Sequence, residues 1–258
     1  MRSVRRLAGK ILRHFGWERR GNLSSGRGGN LPAVWLTPQD LVEKLKSYGL
    51  TGRHIVDVGA HKGSYSRIFL SAFPDAYCTM FEPQVELHQH MSDLTSSQRV
   101  ALVGKGVGAA SGRFAFTRHP RADSQSFAIS RERADARGWE RDWLEVVSLD
   151  EYLQECSWPA PDIIKIDAEG WDLEVVQGAS RTLDTTELVL IEASVIRLGE
   201  PHLPEVLAAM EKADFVFLGF TAVMLNYQGF PWYVEAALIR KGGVVDSNIP
   251  RSLNAPSV

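Results

Sequence analysis

Cysteine is nearly missing from this chain of 258 residues, with Cys78 and Cys156 its only two. Two thiols cannot build a disulfide scaffold, and their spacing matches no zinc-ligand pattern. A reducing compartment suits such a chain. Long apolar runs are missing as well. No stretch approaches the roughly 20 residues of a spanning helix, so a membrane-crossing segment is not expected. Compositional extremes are also absent. With 44% hydrophobic and 23% charged residues, the chain reads as globular rather than disordered. Its length fits one large domain, or one domain with an appendage.

A strong overall charge is lacking too, since the net value is −2, but the distribution is uneven. Residues 1–30 hold Arg2, Arg5, Arg6, Lys10, Arg13, Arg19, Arg20 and Arg27 against Glu18 alone, which makes the segment +7 and leaves −9 on the rest. Val4, Leu7, Ala8, Ile11, Leu12 and Phe15 recur at helical spacing among these arginines. A basic amphipathic helix of this kind suits an anionic membrane surface or a protein partner, here through residues 1–20. It equally suits a helix or arm packed on its own domain. Interrupting charges argue against a signal peptide. Residues 22–30, rich in Gly and Ser, read as a linker. The expected organisation is a basic arm and linker over 1–30, a folded domain over 31–247 and a loose tail over 248–258.

Folded patterning begins near Leu31. Thr37 followed by Pro38, with Leu41, Val42 and Leu45 behind, predicts a capped helix. Strands are predicted over 54–57, 76–81, 100–103, 163–167, 188–193, 215–219 and 234–240. Helices are predicted over 64–72, 84–94, 149–155, 171–179 and 203–213. Such alternation implies an α/β fold with a mainly parallel sheet. The continuously apolar strands fit a sheet covered on both faces. Residues 113–117 read as an added hairpin, and 118–142 as a polar insertion.

The strongest motif is IVDVGAHKGSYS at 55–66, a strand, a glycine turn and a helix start. Gly59 permits torsions closed to other residues and a close ligand approach. Gly63 stands where a helix exposes free amides. The crevice beyond such strands is where open α/β sheets bind ligands. A dinucleotide would call for GxGxxG, whereas this turn reads DxGxxxG with Asp57 at its head. An acid there suits a cationic, hydroxyl-bearing ligand such as S-adenosylmethionine. Glu82, 25 residues after Asp57 and just before Pro83, is placed to accept from ribose hydroxyls. The alternative is that it caps its own helix.

These segments, together with FPDAYCTMFEP (73–83), VVSLDEYL (146–153) and DIIKIDAEGWDLEVVQGA (162–179), resemble the FkbM family of S-adenosylmethionine-dependent methyltransferases. The resemblance runs from about Leu50 to Arg240 and leaves the basic front end outside. It implies a Rossmann-like class I methyltransferase, a seven-stranded mainly parallel sheet with helices on both faces and the last strand antiparallel. It also implies that Asp57, Gly59, Ala60, Gly63 and Glu82 hold the donor, with Gly106 and Val107 flanking the adenine. The family usually carries Asn where His61 stands.

Methyl transfer is an in-line displacement that asks the enzyme chiefly for alignment, and an alcohol acceptor gains from a base or a metal. The sequence KIDAEG puts Lys165 and Asp167 on one strand face, with Glu169 in the following turn. Glu192 closes the next strand. Asp167, Glu169 and Glu192 are therefore the candidate catalytic and acceptor-binding groups. Such a cluster can hold sugar hydroxyls, supply a base or bind a divalent ion; alternatively, Lys165 pairs with one acid and the others cap helices. The insertion contributes His119, Arg118, Arg121 and a DSQSF segment, and Trp139, Trp143 and Trp171 suit either sugar stacking or core anchoring.

The expected function is O-methylation of a hydroxyl, most naturally of a sugar or glycoconjugate, in the cytoplasm or at the inner face of the membrane. No nucleic-acid partner is expected, and the oligomeric state is not legible. Two other readings are a non-catalytic donor-binding or scaffold module recruited by the basic helix, and a nicotinamide oxidoreductase, which the missing GxGxxG disfavours.

Overall fold

A computed structural model describes residues 36–117, 135–195 and 201–250. The expectations for residues 1–30 and for His119, Arg118, Arg121 and the DSQSF segment lie outside the described residues.

Ten strands are described. They are β1 (His54–Val58), β2 (Tyr77–Phe81), β3 (Val100–Val103), β4 (Gly106–Val107), β5 (Gly112–Thr117), β6 (Arg141–Val147), β7 (Ile163–Ile166), β8 (Leu188–Ser194), β9 (Phe215–Leu225) and β10 (Pro231–Arg240). Seven form one sheet in the order β3-β2-β1-β7-β8-β10-β9. β1 pairs in parallel with β2 and β7, β2 with β3, and β7 with β8. β10 runs antiparallel to both β8 and β9. This is the expected Rossmann-like class I sheet. Its parallel strands reverse order at β1, where open α/β sheets place a crevice.

Alternate side chains feed two cores, because successive strand residues point to opposite faces. Val56, Ile164, Val189 and Leu238 join one core with Leu149, Val175 and Val206 from helices. Ile55, Ile163, Leu188 and Ile239 join the other with Leu41, Phe69 and Val245. Helices thus cover both faces, and every residue of β1 and β7 is buried, including His54, Asp57 and Lys165.

The helix Pro38–Lys46 starts as predicted, with the Thr37 side chain accepting from the Asp40 amide and Pro at its first turn. Ser64–Ala72 matches its predicted bounds. The predicted helix over 84–94 is instead a 3-10 helix, Val85–Met91, followed by a short α-helix, Ser92–Thr95. No side chain caps either start, and a Ser-Ser-Gln stretch ends the segment without sustained apolar periodicity.

The segment read as an added hairpin belongs to a second, three-stranded sheet in the order β4-β6-β5. β5 lies antiparallel to β6, and the two-residue β4 lies parallel to it. β6 begins inside the insertion and alternates too weakly to be read from sequence. β9 and β10 are also longer than predicted, reaching Leu225 and starting at Pro231. Among the described residues, no helix is long and apolar enough to cross a membrane.

Candidate active site

The turn after β1 is built from alternating left-handed residues: Gly59 at φ 72°, His61 at 50° and Gly63 at 76°. Gly59 is needed for two reasons. Its torsion suits glycine, and an added Cβ would stand 1.9 Å from the main-chain oxygen of Asp167. His61 occupies a region that Asn and His visit more readily than most residues, which accounts for either residue at this position. A Cβ on Gly63 would press on Leu94 and Met91, so this glycine lets the turn lie against the helix Ser92–Thr95.

The turn is fastened to β2. The amides of Gly59 and Ala60 both donate to the Phe81 carbonyl, at 2.9 and 3.0 Å. The His61 amide donates to Glu82 Oε2 at 2.7 Å, and the Gln84 amide to Glu82 Oε1 at 2.8 Å. Glu82 therefore joins the two turns, and its bond to the Gln84 amide is a local turn contact rather than a cap on the helix Val85–Met91. Burial pushes its carboxyl up to about 7, against the pull of the Gln84 and His61 amides.

Asp57 is buried and turned toward the following helix, where Oδ2 accepts from the Ser66 amide at 3.1 Å and the Ser66 hydroxyl at 2.6 Å. Burial raises its pKa, while the Ser66 hydroxyl and Lys165 counter this. Gly106 and Val107 form β4, paired to Val146 and Val147 of β6. Gly108 follows, and a Cβ there would meet the Trp171 ring at 3.1 Å.

At the end of β7 the Lys165 ammonium stands 3.1 Å from Asp167 Oδ2. It is 2% exposed, lies 4.8 Å from the centre of the Tyr65 ring and 3.9 Å from Glu235 Oε2, and donates to the Ile166 carbonyl at 3.3 Å. Burial would lower its pKa, but Asp167, Glu235, Asp57 and Glu192 together outweigh that and raise it. Lys165 is thus a charged ammonium within a ring of acids. Sequence reasoning missed Glu235 and Tyr65. Glu235 is buried on β10, bonded to the Thr221 hydroxyl and to Tyr65. Its signal was available, because Glu235 is the sole charged residue across 215–239.

Glu192 lies opposite Glu235 in the β8–β10 ladder, one step past the Ile166–Ile191 pair. It is half-buried, and its carboxyl is raised well above the ordinary range by desolvation first and then by Asp167. Glu169 sits in the turn at φ 51° and keeps contact with solvent. Its carboxyl is also pushed upward, by partial desolvation and then by Asp167 and Asp172. Asp172, not singled out from sequence, is 2% exposed and accepts from the Ala168 amide at 3.0 Å and the Gly170 amide at 3.2 Å. Burial, then Asp167, pushes it to about 6.

The structure therefore brings Asp167, Glu169 and Glu192 together and sets them against the Gly59 turn. Among the described residues, no group of three or more His, Cys, Asp or Glu side chains is arranged to hold a metal ion. Trp171 is engaged edge-on with Phe114 at 5.1 Å, and Trp143 is 64% exposed on β6.

Residues 57–217 match the family described as the methyltransferase FkbM domain. The chain is 25% identical over 158 residues to hexuronic acid methyltransferase AglP of Haloferax volcanii, covering 60% of this chain and 61% of AglP. It is 27% identical over 167 residues to 2-O-methyltransferase NoeI of Sinorhizobium fredii, covering 58% of this chain and 67% of NoeI. It thus spans about three fifths of AglP and two thirds of NoeI. A solved precorrin-6y C5,15-methyltransferase from Geobacter metallireducens overlays with a TM-score of 0.44 at 12% identity, over 83% of this chain and 94% of that one. With the family match spanning more than half of its length, the chain belongs to the FkbM methyltransferase family.

Proposed function

We propose that this protein transfers the methyl group of S-adenosylmethionine to a hydroxyl of a sugar or glycoconjugate. One observation carries the reading: the missing Cβ of Gly59 faces the Asp167 carbonyl at 1.9 Å, so the donor turn and the acid-bearing strand end form one site.

The residues suit that donor. Glu82, although held by two amides, keeps lone pairs for a ribose diol, and the surrounding acids favour a sulfonium cation. Ala60 and Gly63 shape the turn on the donor's methionine side, and Gly106 and Val107 lie toward its adenine. S-adenosylmethionine supplies a methyl group already activated for displacement, so the protein's work is alignment and proton removal. Asp167, half-buried at the strand end that abuts the Gly59 turn, accepts the hydroxyl proton. Glu169 and Glu192, whose carboxyls are both raised, hold neighbouring hydroxyls. One relative is named for hexuronic acid and the other for 2-O transfer, and a sugar hydroxyl fits both names.

The test is calorimetry with S-adenosylhomocysteine followed by labelled-methyl transfer to glycan extracts. Micromolar binding not matched by NAD supports the reading, and no binding sinks it. Binding without transfer to any extract would leave a donor-binding module instead. The basic segment 1–30 is proposed as a docking arm for an anionic surface. Vesicle sedimentation of the full chain that shows no association would remove that role.

A further inference from the structure

β10 begins with an irregularity that the acid site does not use. Pro231 pairs with Leu225 and Tyr233 with Met224, which leaves Trp232 as the extra residue of a bulge. Bulges re-aim side chains, and here the neighbouring rings of Trp232 and Tyr233 lie stacked, with centres 5.8 Å apart and planes at 27°. The bulge is anchored, since the Val195 amide donates to the Trp232 carbonyl at 2.8 Å.

The tip beyond it is built rigidly. Asn226 Oδ1 accepts from the amides of Gln228 and Phe230, at 2.9 and 3.0 Å, and the Asn226 amide donates to the Phe230 carbonyl at 2.9 Å. This fixed tip shows Trp232 40% exposed, Phe230 60% and Tyr227 93%. Residues 215–234 contain no charged side chain. An ordered tip that presents several aromatic faces is preorganised for a ligand.

Its place tells which ligand. Tyr233 pairs with Ser194, two residues past Glu192. Two residues further along β10, Glu235 pairs with Glu192 itself, so Tyr233 and Glu235 lie on one strand face beside the acids. The Trp232–Tyr233 pair is therefore next to the acid cluster along the strand. A sugar ring has an apolar C–H face for aromatic rings and a hydroxyl rim for carboxylates, and this surface offers both side by side. A bilayer would have to accept those carboxyls beside the same rings, at a high desolvation cost. Glu235, opposite Glu192, lies three residues from Trp232, or roughly 10 Å along a strand, which is wider than a single sugar ring.

We propose that Trp232, stacked on Tyr233 and flanked by Phe230, forms a second saccharide subsite, so that the acceptor is a chain of sugar rings rather than a free monosaccharide. This rests on the methyltransferase reading above and names the acceptor class of the same cleft.

The full chain, held with S-adenosylhomocysteine, is tested on an array of linear neutral and amino-sugar oligosaccharides of one to six rings, with titration of the best binders. At least one oligosaccharide is expected to bind about tenfold or more tighter than its own monosaccharide. Trp232→Ala should abolish that gain, Trp232→Tyr should keep most of it, and S-adenosylhomocysteine affinity should stay within about twofold in both. Loss of S-adenosylhomocysteine binding in the unaltered protein would instead indict the donor reading. With that binding intact, no saccharide binding across the array, an oligosaccharide no better than its monosaccharide, or a gain that survives Trp232→Ala overturns the subsite. So does Trp232-dependent binding to phosphatidylcholine vesicles in place of sugars.

Discussion

The main-chain amide of His61 donates to the carboxylate of Glu82 at 2.7 Å, which makes the turn after β1 and the end of β2 a single unit. The contact uses the backbone of residue 61, so the family's usual Asn and this chain's His can make it equally well. What matters at that position is tolerance of a left-handed torsion.

Glu82→Ala should therefore fail in two measurements. The His61 and Gln84 amides lose their acceptor, at about 1–3 kcal/mol for each group left unsatisfied, so the melting temperature should fall. S-adenosylhomocysteine affinity should drop about tenfold or more by calorimetry. An unchanged affinity would remove Glu82 from the donor site.

Buried acids give stability a definite pH sign. Glu82 is raised from 4.5 to about 7 and Asp172 from 3.8 to about 6. Between those limits the native state holds more protons than the unfolded chain, so stability falls as pH rises. The effect is complete once pH has passed the folded values. The Glu82 shift corresponds to on the order of 3 kcal/mol. Urea midpoints should be higher at pH 5 than at pH 8, and Glu82→Gln should flatten the difference. A wild-type midpoint that rises over this range would refute the assignment.

Gly59→Ala combines a disfavoured torsion with a main-chain overlap. The left-handed conformation alone costs about 1–2 kcal/mol, and relief of a 1.9 Å approach to the Asp167 carbonyl adds to it. Chemical denaturation should show a loss larger than the torsion accounts for, along with loss of donor binding. A variant as stable as the wild type would mean that the β1 turn and the β7 end do not abut.

Lys165→Met should be among the most damaging core changes, because it leaves Asp167 and Glu235 without their cation. Breaking a buried pair in this way costs about 3–5 kcal/mol. Lys165→Met combined with Glu235→Gln removes one of the stranded charges and should recover part of the loss. Denaturant midpoints for the two variants decide this, and equal midpoints would place Glu235 outside the pairing.

Asp167→Asn tests the proposed proton acceptor. Methyl transfer to a responsive glycan acceptor should fall about 10²–10⁴-fold, with S-adenosylhomocysteine affinity held within a few-fold. Full turnover would take Asp167 out of the chemistry.

The frame and the acids were legible in the sequence because both follow local rules. β1, β7 and the helix Ser64–Ala72 announce themselves through short, mostly apolar stretches and a glycine turn, and strand-end acids follow from their position in the motif. What escaped depends on partners distant in the chain. β4 is two residues long and exists only because β6, some 40 residues later, pairs with it. Glu235 faces Lys165 through the order of strands across the sheet, which no window of sequence contains. Asp172 owes its burial to tertiary packing, which its place in the first turn of a helix does not signal. The Trp232 bulge is a matter of register, invisible without the opposing strand.

The reversed direction of β10 has a consequence for how this protein can change. Both neighbours of β10 run the other way and finish beside the acid cluster, whereas β10 starts there, so the β9–β10 tip reaches the cluster as one short uninterrupted piece of chain. The turn that carries Gly59 and the end of β2 lie far earlier in the sequence. Replacement of residues 226–230 would therefore alter what the cleft meets while β1 and β2 keep their hydrogen bonds. In such an arrangement, acceptor preference can be inherited or exchanged separately from the machinery beneath it.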